Sequence, residues 1–152
     1  MTIEKATVND HSLLTEITKK SKAYWNYSED LLLAWDEALT ITQDYLNVYP
    51  VYKLVIEEKT VGYYSYFEEK NQTIKLDNLF LLPQYIGKGI GSYLMTDFLN
   101  RIQKQNFQRI YLDAEPYAEG FYKKHGFKTI GSFETAIKGR FMPVMELRIS
   151  NI

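Results

Sequence analysis

The stretch Leu79-Phe80-Leu81-Leu82-Pro83-Gln84-Tyr85-Ile86-Gly87-Lys88-Gly89-Ile90-Gly91-Ser92 constrains this chain more than any other. An apolar, strand-like segment stops at Pro83. Gly87, Gly89 and Gly91 alternate in the loop behind it. The loop opens directly into a segment with Ile90, Leu94, Phe98 and Ile102 at every fourth position, which is a helical period. Glycines let backbone approach a ligand without a Cβ in the way. The first N–H groups of a helix lack an internal acceptor and sit at the positive end of its dipole. Strand, glycine loop and helix in this order therefore form a site for an anion, with phosphate or pyrophosphate as the expected guest.

The surrounding pattern predicts the other elements. Residues 2–7 read as a strand. Asp10 is placed to cap a helix carrying Leu13, Leu14 and Ile17, and Ser28 to cap a second with Leu31, Leu32 and Trp35. A short helix over Gln43 to Asn47 ends at Pro50. Val51 to Ile56, Val61 to Phe67 and Thr73 to Leu82 are rich in β-branched and aromatic residues and form a meander, with polar breaks at 57–60 and 68–72. A helix covers residues 89–105, a strand Arg109 to Asp113, and a helix Pro116 to His125 with Gly126 as its left-handed end. Phe127 to Thr135 and Met142 to Ile149 are the last strands. Strand, helix, strand between Leu76 and Asp113 requires one parallel pair through a right-handed crossover. The result is an α/β chain, α+β in some schemes. Its sheet is mixed and mostly antiparallel, with six to seven strands and helices on both faces.

Composition removes several function classes. At 152 residues the chain is read as a single domain, 1–152, and with 45% hydrophobic residues it can bury a full core. A net charge of −1 gives no electrostatic case for nucleic acid or an anionic membrane. There are no cysteines, so disulfides, thiolate nucleophiles and cysteine metal sites are excluded. His11 and His125 are too few and too far apart for a histidine metal centre, so no metal is expected. Met1 runs straight into the first strand pattern, which makes a cytoplasmic protein the default expectation.

Two phosphate-binding motifs fail against the loop. A P-loop needs four residues between its first glycine and Gly-Lys-Ser/Thr, and that spacing is absent. A Rossmann fingerprint would put its third glycine at Ser92. It would also begin at the strand end, whereas residues 83–86 intervene here.

Gln84-x-x-Gly87-x-Gly89 after a strand ending at Pro83 resembles the acyl-coenzyme A motif of the Gcn5-related N-acetyltransferases, the GNAT family. Ala114-Glu115-Pro116-Tyr117-Ala118-Glu119-Gly120-Phe121-Tyr122-Lys123-Lys124-His125-Gly126-Phe127 resembles the family's later helix motif, with its Phe-Tyr and Gly-Phe core. The order of elements matches the family along essentially the whole chain. Ser21-Lys22-Ala23-Tyr24-Trp25 and Gly139-Arg140-Phe141-Met142-Pro143 are similar to the Ser-Lys-Ala-x-Trp and Gly-Arg-x-x-Pro signatures of a bacterial subgroup.

The resemblance implies a GNAT fold whose parallel strands splay after a bulge, and acetyl-coenzyme A as cosubstrate. The pantetheine arm would pair with backbone of Leu79 and Leu81 as an added strand does. N–H groups from Ile86, Gly87, Lys88, Gly89, Ile90 and Gly91, with Gln84 and Ser92 beside them, would hold the pyrophosphate. Tyr122 occupies the position of the family's proton donor to the leaving thiolate. Asp77 or Asn78 lies where relatives place a base or a water-holding group, on opposite faces of the strand. Trp25, Tyr27 and Trp35 are candidates to wall the acceptor pocket. Arg140 is set either to fork onto an acceptor carboxylate or to form an internal ion pair. Ile86 and Glu115 depart from the arginine and asparagine common in relatives.

The implied activity is transfer of an acyl group, most simply acetyl, to an amine of a small molecule or peptide by direct attack in a ternary complex. The alternative is a non-catalytic acyl-coenzyme A sensor. The resemblance also allows a homodimer through the terminal strands. No nucleic-acid or membrane partner is expected.

Overall fold

A computed structural model describes residues 1–152, the side chain of Asn151 apart. The strands are β1 (Thr2–Lys5), β2 (Val51–Ile56), β3 (Lys59–Glu69), β4 (Thr73–Leu81), β5 (Arg109–Asp113), β6 (Lys128–Glu134) and β7 (Phe141–Arg148). The helices are α1 (His11–Ala23), α2 (Glu29–Ala34), α3 (Gln43–Val48), α4 (Ile90–Gln103) and α5 (Glu119–Lys124). The sheet has seven strands in the order β1-β2-β3-β4-β5-β7-β6. β1–β2, β2–β3, β5–β7 and β6–β7 pair antiparallel, and β4–β5 is parallel. The expected mixed sheet, with its one parallel pair after the crossover, is thus present. No helix among the described residues is long and apolar enough to cross a membrane.

The chain divides into two compact units. One comprises Met1–Tyr66 with Asn78–Asp97, the other Phe67–Asp77 with Phe98–Ile152. In the first, β2 and β3 are joined at Glu57 and Glu58, both with positive φ (49° and 64°), between the paired Ile56 and Lys59. Successive strand residues face opposite sides of a sheet, and here two tyrosines use both sides. Tyr63 and Tyr64 are fully buried. The Tyr63 hydroxyl meets Thr18 Oγ1 of α1 at 2.5 Å. Thr18 donates its own proton to the Leu14 carbonyl at 2.7 Å, so Tyr63 is the donor. Tyr64 donates to Asp97 of α4 at 2.7 Å. Buried hydroxyls that find partners avoid a desolvation cost of about 1–3 kcal/mol each.

Capping follows sequence in part. Ser28 and Thr42 accept from Leu31 N–H and Tyr45 N–H at 3.2 and 3.0 Å. Asp10 does not cap α1 with its side chain. Its carboxylate instead accepts from Thr7 N–H at 2.8 Å, closing a capping box on the 3-10 turn Val8–Asp10, and takes Lys53 Nζ at 3.0 Å. The cap moved because Thr7 starts a helical turn before α1. The first strand ends at Lys5, and Ala6 N–H continues the contact to the Val51 carbonyl at 2.9 Å.

In the second unit β5 alternates: Ile110 and Leu112 are buried, while Arg109, Tyr111 and Asp113 are half-buried. Met145 and Leu147 of β7 complete the apolar side. The segment expected as one helix from Pro116 begins as a 3-10 turn, Pro116–Ala118, before α5. Proline at its first position cannot donate, which costs nothing there. Gly126 ends α5 with φ +95°. β6 is exposed along its whole length.

Candidate active site

The glycine loop belongs to the first unit. Leu82 N–H bonds the Val61 carbonyl at 2.8 Å, and Pro83–Tyr85 then turns as a 3-10 helix. Tyr85 N–H reaches Leu82 O at 2.9 Å and Ile86 N–H reaches Pro83 O at 3.1 Å. Ile86, expected among the pyrophosphate donors, has its N–H engaged within this turn. Gly87 and Gly89 both have φ +80°, with nothing within 4 Å of an added Cβ. Glycine is required at both for conformation, and the space a side chain would take is open. Tyr93 N–H to Gly89 O, at 3.2 Å, is the first bond of α4. Gly89, Ile90 and Gly91 thus contribute N–H groups for which the helix has no acceptor. Ser92 lies in the same turn, half-buried, and Gln84 and Lys88 are exposed.

Upstream, β3 and β4 approach closely at Gly62. A Cβ there would lie 2.5 Å from Leu81 Cδ2, 2.8 Å from the Phe80 carbonyl oxygen and 3.3 Å from Leu94 Cδ1. Leu81 is buried and Leu79 half-buried. Asn78 Nδ2 donates to Ser65 Oγ at 2.9 Å and to the Tyr45 hydroxyl at 3.2 Å, and those two hydroxyls meet at 2.7 Å. The Phe80 ring lies 6.0 Å from that of Tyr63. Lys75, on the same strand, sits 5.9 Å from the Phe67 ring. Tyr63, Ser65 and Phe67 share one side of β3. Asn78 and Phe80 therefore share one side of β4. The β4–β5 register ends at Lys75↔Tyr111, while β4 runs on to Leu81 and β5 to Asp113.

The second unit holds Asp77, half-buried, together with Tyr122 and Arg140. The Tyr122 ring is buried, edge-on to Phe121 and Phe127 at 5.3 and 5.9 Å. Burial, and after it the Glu115 carboxylate, push its phenol well above the usual range. Among the described residues no hydrogen bond reaches its hydroxyl. Tyr122 is thus a phenol that keeps its proton. Arg140 Nη2 meets Glu115 Oε2 at 3.3 Å, with both side chains mostly buried. Of the two expectations for Arg140, the internal ion pair is present. Gly139, φ +83°, and the bond from Thr135 N–H to Arg140 O at 2.8 Å shape the turn that carries it. Lys75 Nζ pairs with Asp113 at 3.2 Å.

The aromatic candidates of the first helices do something their spacing did not announce. Tyr27 and Trp35 meet edge-on at 5.0 Å, and Lys22 Nζ lies 5.4 and 5.2 Å from their ring centroids. This is a cation–π clasp on the chain's own lysine. Trp25 stacks edge-on with Tyr24 at 4.7 Å. Tyr45 and Ser65 were not singled out from sequence. They come from different elements, and no local motif joins them to Asn78. Among the described residues no group of three or more His, Cys, Asp or Glu side chains is arranged to hold a metal.

Comparison with known proteins follows the same outline. The chain superposes on PaiA N-acetyltransferase from Thermoplasma acidophilum, crystallised with coenzyme A, with a TM-score of 0.78 and 21% identity, covering 97% of this chain and 99% of that one. For the ribosomal-protein-S18-alanine N-acetyltransferase of Escherichia coli the TM-score is 0.73 at 18% identity, with 97% and 93% covered. For YncA of Salmonella typhimurium, crystallised with acetyl-CoA, it is 0.70 at 22% identity, with 98% and 94% covered. These likenesses establish the fold. The profile of the acetyltransferase (GNAT) domain matches residues 27–149, and the chain therefore belongs to the GNAT acetyltransferase family.

Proposed function

We propose that residues 1–152 work as one acetyltransferase domain that moves the acetyl group of acetyl-coenzyme A to a primary amine of a small molecule or peptide. The observation that carries this reading is the loop at residues 87–91. Two glycines at φ +80° surround open space, at a helix end whose first N–H groups have no acceptor within the helix. A pyrophosphate suits that cradle in charge and in shape. The relatives crystallised with coenzyme A and acetyl-CoA support the choice of carrier. The Ser-Lys-Ala-x-Trp and Gly-Arg-x-x-Pro motifs support a place in the bacterial subgroup that carries them.

In this reading the backbone of Gly87 to Gly91, flanked by Gln84, Lys88 and Ser92, binds the diphosphate. Leu79 and Leu81 offer main-chain groups to the pantetheine amides. The neutral amine attacks the thioester carbonyl, an N–C bond forms, the C–S bond breaks, and the amine's surplus proton passes to a nearby base or, through a held water, to solvent. Tyr122 gives its phenolic proton to the sulfur and is reprotonated from solvent. Its raised pKa keeps that proton available at neutral pH. Asp77 or Asn78 serves as the base, or holds the water, that takes up the amine's proton. Trp25, Tyr27 and Arg140 border the acceptor pocket, Arg140 with its charge already balanced by Glu115. A homodimer through β6 suits its exposed edge.

Titration calorimetry with coenzyme A, followed by a panel of primary amines with acetyl-CoA read by thiol release, tests the proposal. Binding and turnover of at least one amine are expected. Binding with no turnover across the panel supports a sensor, and no binding removes the reading altogether.

A further inference from the structure

A cleft of about 510 Å³ opens beside the start of the parallel pair, lined by Glu69, Lys70, Asn71, Thr73 and Arg109. All five belong to the second unit, and none is assigned above to acetyl transfer. The volume falls within the ~300–1,000 Å³ usual for small-molecule sites. The turn between β3 and β4 lends Lys70 and Asn71 to the lining, with Asn71 and Gln72 at φ of 62° and 54°. Thr73 Oγ1 donates to the Asn71 carbonyl at 3.2 Å, and Gln108 N–H to the Gln72 carbonyl at 2.9 Å. This side of the cleft is thus fastened to the residue before β5 ahead of any ligand, which lowers the cost of ordering on binding. The charges in the cleft are not used on each other. Glu69 Oε2 accepts from the Tyr111 hydroxyl at 2.6 Å. Arg109 donates from Nε to Glu146, and its Cζ lies 5.0 Å from the Tyr111 ring centroid. Glu146 also takes Arg148 Nη2 at 3.2 Å, so two guanidinium groups share that carboxylate. Lys75, on the other hand, pairs with Asp113. Among the described residues Glu69 closes no ion pair with Arg109 or Lys70, and the Arg109 Nη groups reach no protein acceptor.

We propose that this cleft binds a small zwitterion, a molecule with an ammonium and a carboxylate, as an α-amino acid has. The Nη fork of Arg109 matches the two oxygens of a carboxylate, and Lys70 adds a second cation at the rim. Glu69 Oε1, the oxygen not engaged by Tyr111, accepts from the ammonium. A guest that is only anionic, such as phosphate, meets the Glu69 charge. A guest that is only cationic meets Arg109 and Lys70. Opposite charges that line one cleft without pairing are complementary to a ligand carrying both, and repel one carrying either alone.

The test is an amide-shift NMR titration of the full chain, without acetyl-CoA. The probes are the standard amino acids, with β-alanine and γ-aminobutyrate to widen the gap between the charges. At least one is expected to shift the amides of Lys70, Asn71, Thr73 and Arg109, with a Kd near ~1 mM. Its amidated and N-acetylated forms, each lacking one charge, are expected to bind about tenfold more weakly, the size of one hydrogen bond's loss. Glu69→Gln keeps an acceptor for Tyr111, and Arg109→Lys keeps a cation for Glu146. Each is expected to weaken binding about tenfold, while the Kd for coenzyme A stays within about twofold of the parent's. No shift at these amides with any probe up to ~10 mM overturns the inference. So do equal binding of the one-charge forms or of inorganic phosphate, shifts confined to residues outside the cleft, and unchanged binding in both variants. A protein that acetylates no amine leaves it standing, because no step of the transfer enters the test. If Arg109→Lys fails to fold, Glu69→Gln, at an exposed position, decides alone.

Discussion

Gly62→Ala is a direct probe of how β3 and β4 meet ahead of the glycine loop. The added methyl would lie 2.5 Å from Leu81 Cδ2, which can rotate away, and 2.8 Å from the Phe80 carbonyl oxygen, which cannot. Comfortable carbon–heavy-atom contacts begin near ~3.5 Å, so the Phe80 peptide must retreat by about 0.5 Å or more. Overpacking of this kind costs about 1–3 kcal/mol. For a chain of this size each kcal/mol lowers Tm by about 2–4 °C, so a fall of roughly 2–12 °C is expected in a thermal scan. The displaced peptide lies between Leu79 and Leu81, so coenzyme A affinity should fall too. Gly131→Ala is the control: nothing lies within 4 Å of its Cβ, and its φ is not positive. Its Tm should stay within about 2 °C. Equal Tm values for Gly62→Ala and the parent would refute the argument that β3 needs glycine for a close approach.

Gly87→Ala meets no atom but strains a φ of +80°, costing about 1–2 kcal/mol. Gly87→Asn, which tolerates that region better, should recover part of the stability in the same thermal scan. Tyr122→Phe should lower kcat by about 10²-fold or more while leaving the calorimetric Kd for coenzyme A within about twofold. Because burial and Glu115 raise the Tyr122 pKa, the parent's kcat should show no alkaline fall from this group below pH ~10. A falling limb that vanishes in Tyr122→Phe would contradict that. Burial alone would raise the Asp10 carboxyl, but Thr7 N–H and Lys53 outweigh it and hold it below its ordinary value. Its stabilisation is therefore present above the unfolded carboxylate's pKa, near ~3.9, and is lost as pH falls through the lower folded value. Asp10→Asn should cost about 1 kcal/mol at pH 7 by urea unfolding, and the difference should shrink below pH ~4.

Legibility in the sequence tracked how local each cause was. The glycine loop and α4 were readable because an anion cradle is built from consecutive residues with one period. The strands of the meander were readable from their β-branched and aromatic residues between polar breaks, and Gly126 from its place after a helix. The Asp10 cap was misplaced because two turn starts overlap within residues 7–11, and the longer-range pull of Lys53 has no local trace. The side taken by Asn78 stayed open until its partners Ser65 in β3 and Tyr45 in α3 were known. Arg140 and Glu115 lie 25 positions apart, at the two sides of a hairpin and a turn, and only the fold brings their charges together. Tyr27 and Trp35 were legible as candidate pocket walls, but their clasp on Lys22 was not.

Tyr63 and Tyr64 are adjacent, buried and fastened to opposite layers, one to α1 and the other to α4. A single peptide unit thus works as a rivet through the sheet. Rotating β3 about its own axis would pull one fastening and push the other. The helix that begins at the glycine loop and the helix near the chain's start are thus pinned to the same two residues of one strand.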